Sequence, residues 1–385
     1  MILGYCTNIH PAETWEETLT ALKTHVLAVR DLLLDSGDQP TNRRYPIGLR
    51  LSAIAAEELL SEDHLPRFID WLEREQCYVF TINGFPYGSF HGTRVKEKVF
   101  QPDWTDPKRV LYTKHLFKIA AALTGNGPDC SVSTLPGSHK SFDADQSKII
   151  TNLVEMAYFI EDLSQKHQID LHLGLEPEPL GHFENTNETL QFFEDLHTVG
   201  KTPDIISKRI GLNYDTCHFA IEFDDAAASL DAISAAGIRL SKIHLSNALR
   251  IDPQNPEAIE AIRSYNEPTY FHQVIAADRD RDIHRFPDLP DFLQFAENNP
   301  RNNFTEARIH FHIPLDSTPA APLDSTHSHV AETLAWCQKH PAACQHFEIE
   351  TYTWGVLPEN LQRPIEQQIA AEYHWVLEKL RHPDQ

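Results

Sequence analysis

The chain has 385 residues, 41% hydrophobic, 10% aromatic and 23% charged, the make-up of an ordinary globular protein. Its 33 Lys+Arg against 56 Asp+Glu give a formal charge of -23, which repels phosphate backbones and anionic membranes. With no basic groove in the sequence, this excludes nucleic acid as a partner and favours a small molecule.

No stretch approaches the roughly 20 apolar residues of a membrane span. The start, MILGYCTNIHP, lacks the basic and apolar regions of a signal peptide. The six cysteines form no CxxC pair, so the expectation is a cytoplasmic protein with reduced thiols.

In chain order, β-like runs occur at 2–8, 47–52, 78–84, 131–137, 171–177, 210–215, 240–246 and 346–352. Amphipathic helical patterns separate them at 14–34, 56–75, 108–123, 145–167, 187–199, 224–236 and 328–340, and a last one spans 363–380. Eight strands alternating with helices imply parallel βαβ units. With no internal linker, one closed (β/α)8 TIM barrel over residues 1–385 is the simplest arrangement, against an open doubly wound sheet. A long polar insertion after strand 7, about 251–306, would sit on the catalytic face as a lid or wall, or form a solvated excursion. RIHFHIPL (308–315) follows it and reads as a ninth strand. The stretch 84–104 reads as a second long loop on that face.

In such a barrel, catalytic groups sit at the C-terminal ends of the strands. Strand 5 ends in LEPEP, with Glu176 and Glu178 on one face; strand 6 ends in YDTCH, with Asp215 and His218. Strand 7 carries His244, with Arg250 six residues on, and strand 8 carries Glu348 and Glu350. His310 and His312 lie on the extra strand, and His10, His91 and His139 follow strands 1, 3 and 4. Glu176, Asp215, His244 and Glu350, from four successive strands, would converge on one axial point. Three carboxylates and an imidazole suit a divalent cation (Mn, Zn, Co or Mg); without one, the anions would repel and raise each other's pKa. Phe85, Tyr87, His91, Lys96 and Trp354 would wall the pocket, or pack the loops onto the barrel. There is no GxSxG, GxxxxGK[ST] or GxGxxG motif in place, and alternation points Cys217 away from Asp215.

At these residues the sequence resembles the xylose-isomerase-like TIM-barrel superfamily of sugar isomerases, ketose 3-epimerases, inosose dehydratases and endonuclease IV. Glu-Pro-x-Pro at 176–179 is similar to a strand-5 motif whose Glu binds metal, although isomerases carry lysine where this chain has Glu178. EPLGHFE (178–184) also resembles an epimerase strand-5 segment, which would make Glu178 the ligand; the depth of Glu176 on its strand favours Glu176. The resemblance implies Asp215 and His244 as ligands and His218 and Arg250 as substrate contacts. It also implies that Glu350 binds metal and moves a proton. His312 resembles a later strand-7 histidine of endonuclease IV, where Asp-x-His stands in place of His310-x-His312. GYCTNIHP (4–11), NGFPYGSFHG (83–92), VKEKVFQPDW (95–104), STLPGS (133–138) and EIETYTW (348–354) resemble the EboE-like metabolite traffic family of bacterial ebo operons. That resemblance implies traffic or processing of a secondary-metabolite precursor, a polyol or cyclitol, beside other ebo-operon proteins.

Three functions follow as expectations. The first is a metal-dependent sugar or polyol isomerase or epimerase, with Glu176 and Glu350 moving protons and Glu178, His218, Arg250, His91 and His312 facing substrate. The second is an endonuclease-IV-like phosphoesterase on small phosphoesters. The third is a non-catalytic metabolite-binding subunit.

Overall fold

The protein is described by a computed structural model over residues 1–39, 43–88, 96–124, 129–267, 270, 272–357 and 362–382. Apolar runs buried on both faces form parallel strands, because helices cover the outside while side chains fill the inside. Seven come first: β1 (Ile2–Tyr5), β2 (Tyr45–Arg50), β3 (Cys77–Asn83), β4 (Asp129–Thr134), β5 (Asp170–Leu175), β6 (Ile210–Asp215) and β7 (Arg239–Leu245). Five more strands follow: β8 (Leu249–Ile251), β9 (Val274–Asp278), β10 (Ile283–Phe286), β11 (Phe304–Ile309) and β12 (Asp324–Ser325). β13 (His346–Ile349) returns to the first sheet. The large sheet runs β1-β13-β7-β6-β5-β4-β3-β2, with every ladder parallel. Its two ends meet through a Cys6–Gly48 bridge and an Arg50 N–H donating to Thr7 Oγ1 at 2.8 Å. This is the eight-stranded barrel with flanking helices that the alternation predicts.

The stretch after strand 7 is neither a plain solvated excursion nor a lone ninth strand. β8 to β12 form an antiparallel sheet ordered β10-β9-β11-β8-β12, so the inserted structure reaches from Leu249 to Ser325. It encloses its own apolar core, including Val274, Phe292, Phe304 and Ile309. Within it, VIAAD (274–278) is buried throughout. Of RIHFHIPL, Arg308 and Ile309 belong to β11; residues 310–315 leave the sheet and cross the mouth of the barrel. Arg285 of β10 pairs with Glu222 and Glu184 of the barrel, fastening the sheet down.

The barrel interior is polar. Gly48 leaves room for Glu348, since a Cβ there would lie 1.8 Å from Glu348 Oε1. Lys242 and Glu348, both 0% exposed, pair at 2.6 Å, and Lys242 also donates to Ser133 Oγ at 2.9 Å. Arg109 is buried in the 84–104 loop region, donating to the carbonyls of Pro102 and Gly84.

The helix Ile365–Arg381 closes the barrel beside β13 through Glu372, which accepts from Thr351 Oγ1 at 2.6 Å and Leu315 N–H at 3.1 Å. Burial pushes the Glu372 carboxyl up to about 8 from an ordinary 4.5. A raised folded pKa stabilises the protonated form: the contribution is complete below about pH 4.5 and is lost as pH rises through about 8. Glu372→Gln should therefore match the natural protein at pH 5 and exceed it by about 1–3 kcal/mol at pH 9, read from thermal melts at both pH values.

Candidate metal centre

The barrel ladder continues one residue past β5 and β13. Glu176 N–H donates to Thr134 O at 2.9 Å and Glu350 N–H to Leu245 O at 3.0 Å, so both glutamates are fixed to the strand ends. With Asp215 and His244 they form a buried group whose four ligand atoms all lie within 4.8 Å of one another. His244 Nδ1 is 2.9 Å from Glu176, 3.1 Å from Glu350 and 3.6 Å from Asp215.

Each member is oriented from outside. Asp215 Oδ1 caps the short helix Thr216–Ile221, accepting from Cys217 N–H and His218 N–H and from Ser246 Oγ. Asp215 Oδ2 has no hydrogen-bond partner and faces His244. Asn8 donates to Glu350 Oε1 at 2.7 Å, leaving Oε2 toward the imidazole. His244 Nε2 lies 3.0 Å from Glu348 Oε2; a carboxylate can only accept, so Nε2 carries the proton. Nδ1 is then the ligating nitrogen, oriented by a carboxylate behind the ring.

The electrostatics fit a cation. Burial opposes ionisation of Asp215, yet His218 and the neighbouring His244 hold its carboxyl well below the usual range. Burial likewise opposes a charge on His244, but Glu350 and Glu176 push its pKa well above 6.5. Against its burial, Lys242 and His244 bring Glu348 down to about 2. The three carboxylates around Nδ1 thus hold a proton where a divalent ion would sit with less repulsion among them.

A second ligand set adjoins the first. His218 Nδ1–H donates to the Pro177 carbonyl and His312 Nδ1–H to the Glu350 carbonyl, both at 2.7 Å. Gln273 Nε2 donates to Pro179 O, which turns its Oε1 to accept from His310 Nδ1–H at 2.7 Å. The Nε2 atoms of His310 and His312 are buried without a hydrogen-bond partner among the described residues. His218 Nε2 lies 3.4 Å from Glu178 and 3.9 Å from Asp215. Glu178–His218–His310 and Asp215–His218–His312 are both compact enough to share an ion. Burial, reinforced by Glu176 and Asp215 against His218, pushes Glu178 up to about 8; Asp215 and Glu178 raise His218 to about 9 despite its burial.

Above both sets lies a cleft of ≈ 610 Å³ open to solvent. Phe85, Pro86, Val99 and Phe100 make one wall, Tyr270 and Tyr352 another, and Glu176, Glu178, His218, His310 and Glu350 the floor. Asn8, Asn83, Lys96 and Gln273 also line it. His312 lies under the floor, against Tyr352.

Some predicted contacts fall elsewhere. Arg250, expected at substrate, is on β8, pairs with Asp324 and lines a separate polar pocket with Arg308 and Asp224, because β8 turns away into the inserted sheet. Tyr87 packs on Tyr112 and Trp354 donates to Arg363 O, so neither lines the cleft, whereas Phe85 and Lys96 do. His91 lies outside the described residues. Sequence reading missed Lys242 and did not assign Glu348. The signal for Lys242 was a lysine two residues before His244 inside an otherwise apolar run, hence on the same face.

No family model matches the sequence, and no curated protein matches it. Among solved structures, the chain is similar to the IolI protein with a bound zinc atom (10% identity, 99% of this chain and 98% of that one, TM-score 0.50). It is also similar to the probable 3-DHS dehydratase AsbF of Bacillus anthracis, involved in petrobactin synthesis (13%, 98% and 99%, 0.49). A third is a xylose isomerase domain containing protein of Salmonella typhimurium LT2 (10%, 99% and 97%, 0.45). At these identities the likeness is one of fold alone. Among the described residues no helix is long and apolar enough to cross a membrane.

Three outcomes follow from the centre. Ligation needs the lone pair of His244 Nδ1, which below its raised pKa carries a proton, so each ion bound releases a proton. Divalent-metal affinity should therefore rise with pH around and above 6.5, by up to about tenfold per pH unit, measured by calorimetry in buffers of differing ionisation enthalpy. Glu348→Gln should weaken that affinity about 10- to 100-fold by releasing the imidazole. Lys242→Met should cost about 3–5 kcal/mol of stability by taking the ammonium from the buried Glu348 carboxylate and leaving it only the His244 N–H.

Proposed function

We propose that the protein is a metal-dependent isomerase or epimerase acting on a sugar, polyol or cyclitol that carries a carbonyl beside a hydroxyl. The observation that carries this reading is the placement of Glu176 and Glu350 on either side of His244 Nδ1, at the floor of a partly apolar cleft. Glu176, Asp215, His244 and Glu350 would hold the ion, of which Mn, Zn, Co and Mg all suit the donors. When bound, the cation supplies Lewis-acid stabilisation of negative charge developing on substrate oxygens. One glutamate takes the carbon-bound proton and the other returns a proton on the opposite face or at the neighbouring carbon. Asn8 keeps Glu350 aimed inward, and His218 and Glu178 hold substrate hydroxyls. Phe85, Phe100 and Tyr352 offer flat surfaces to the C–H faces of a ring and keep water from the reacting carbons.

Within this reading the substrate is a secondary-metabolite precursor, and the chain has the role of an EboE-like traffic or processing protein working beside other ebo-operon proteins. The long strings GYCTNIHP, VKEKVFQPDW and EIETYTW support that narrower assignment.

The His218, His310 and His312 set favours a second reading, a small-molecule phosphoesterase in which Asp215, His218 and His312 would hold a second ion and the cations would supply Lewis-acid stabilisation of charge on the attacking and leaving oxygens. The two readings separate by experiment. Incubated in deuterated water with candidate ketoses and keto-cyclitols, the enzyme should wash solvent deuterium into the carbon next to the carbonyl. Glu350→Gln and Glu176→Gln should each lower that rate at least about 100-fold. Phosphate release from small phosphoesters, lost in His310→Ala with His312→Ala and unaccompanied by deuterium exchange, would instead establish the second reading. A protein that binds a ketose tightly yet performs neither reaction would be a metabolite-binding subunit.

A further inference from the structure

We propose a separate, structural metal site at the N-terminal end of the barrel, formed by Asp129, His172 and His346 and suited to Zn²⁺. It lies on β4, β5 and β13, at the end opposite the cleft. His172 shares a face of β5 with Glu176 but is four residues earlier, roughly 13 Å along the strand, with the Lys242–Glu348 layer between. The candidate centre above therefore cannot use it.

Three observations point to a ligand. His172 is 2% exposed, and neither of its ring nitrogens has a hydrogen-bond partner among the described residues. Every neutral imidazole has one N–H and one lone pair to satisfy, so a buried ring with both unmet calls for an ion or a water. His346, 1% exposed, places Nδ1 at 2.9 Å from Ser131 Oγ. Its Nε2 lies 3.3 Å from the Asp129 carboxylate, without the alignment of a hydrogen bond. The two rings stack at 5.5 Å and 22°, and one ligand atom from each of the three residues lies within 4.8 Å of the others.

The surrounding charges leave this donor set available. Arg209 and Arg239 are close, but each guanidinium is held 2.7 Å from Asp170, so Asp129 remains the carboxylate facing the histidines. Two imidazoles and one carboxylate suit zinc, which accepts mixed N and O donors in four-coordinate sites. The Asp129 side chain, 19% exposed, provides the entry path and room for a water as fourth ligand. An ion here would tie β4 and β5 to β13 across the interior, at the face where barrels place stability rather than catalysis.

The rival occupant is a buried water, and metal counting separates the two. The full chain and its Glu176→Gln/Asp215→Asn form are dialysed against micromolar zinc and analysed for zinc per chain. In both backgrounds His172→Gln should lower the count by one ion. His172→Phe should do the same while filling the space, and so covers the case in which His172→Gln fails to fold. Asp129→Asn, partly exposed, should weaken that one ion at least tenfold. In the Glu176→Gln/Asp215→Asn form, zinc against chelator should still raise the melting temperature, and His172→Phe should abolish that difference. A zinc count unchanged by the His172 variants would overturn the proposal. These counts do not depend on turnover, so loss of activity in the Glu176 and Asp215 variants speaks to the cleft and not to this site.

Discussion

The centre of the barrel depends on an ion pair with no contact with water, Lys242 to Glu348. Taking two charges into the interior costs several kcal/mol per ion, offset only where geometry and further hydrogen bonds are good. Here Lys242 also meets Ser133, Glu348 also accepts from His244 Nε2–H, and Gly48 supplies the space. The arrangement imposes an order: ammonium, carboxylate, imidazole N–H, and then a nitrogen whose orientation is set by everything beneath it. Three carboxylates gathered at that nitrogen follow a positive-to-negative alternation up the barrel axis. Apolar stabilisation comes from the other side of the strands, where residues such as Leu173, Leu212 and Ile243 are buried in the main core.

The layer above follows a related rule, with backbone carbonyls and side-chain acceptors in place of carboxylates. His218 and His312 donate Nδ1–H to carbonyls, and His310 donates to an amide oxygen itself fixed by Pro179. Each ring is thereby fixed in orientation and presents Nε2 inward. Gln273, His310 and His312 come from the inserted structure or its exit, so the inserted sheet builds part of the cleft floor as well as walling it. Asp215 joins the two layers by dividing its oxygens between a helix cap and the cluster.

Much of this was legible in the sequence, because the alternation of strand and helix fixes which residues reach the C-terminal face. Glu176, Asp215, His244 and Glu350 converge because each stands at or next to the end of its own strand, a property a period-2 pattern can show. Arg250 failed for a related reason: counting six residues beyond His244 assumes a loop that stays at the barrel mouth, and the chain instead enters β8. The inserted sheet was hidden because its strands are two to six residues long and its turns dominate the local composition. Lys242, Glu348, His172 and His346 escaped assignment because strand interiors are expected to be apolar. No local rule says that eight strands will share a polar axis.

That polar axis bears on the two glutamates of LEPEP. Glu176 is tied to the ladder and reaches His244, while Glu178 is two residues further out, 3.4 Å from His218 and 3.8 Å from His310. The same burial and like charges that make a cation favourable below keep the Glu178 proton on until about pH 8, so near neutrality this side chain donates as well as accepts. One proline-bounded pair therefore yields two chemically distinct groups: a carboxylate beside the imidazole and a carboxylic acid at the substrate level. A lysine in that outer slot would bring a fixed positive charge against His218, whose charge is held first by Asp215. An acid there and a histidine opposite it are mutually consistent, which gives a physical reason for this chain to carry glutamate at position 178.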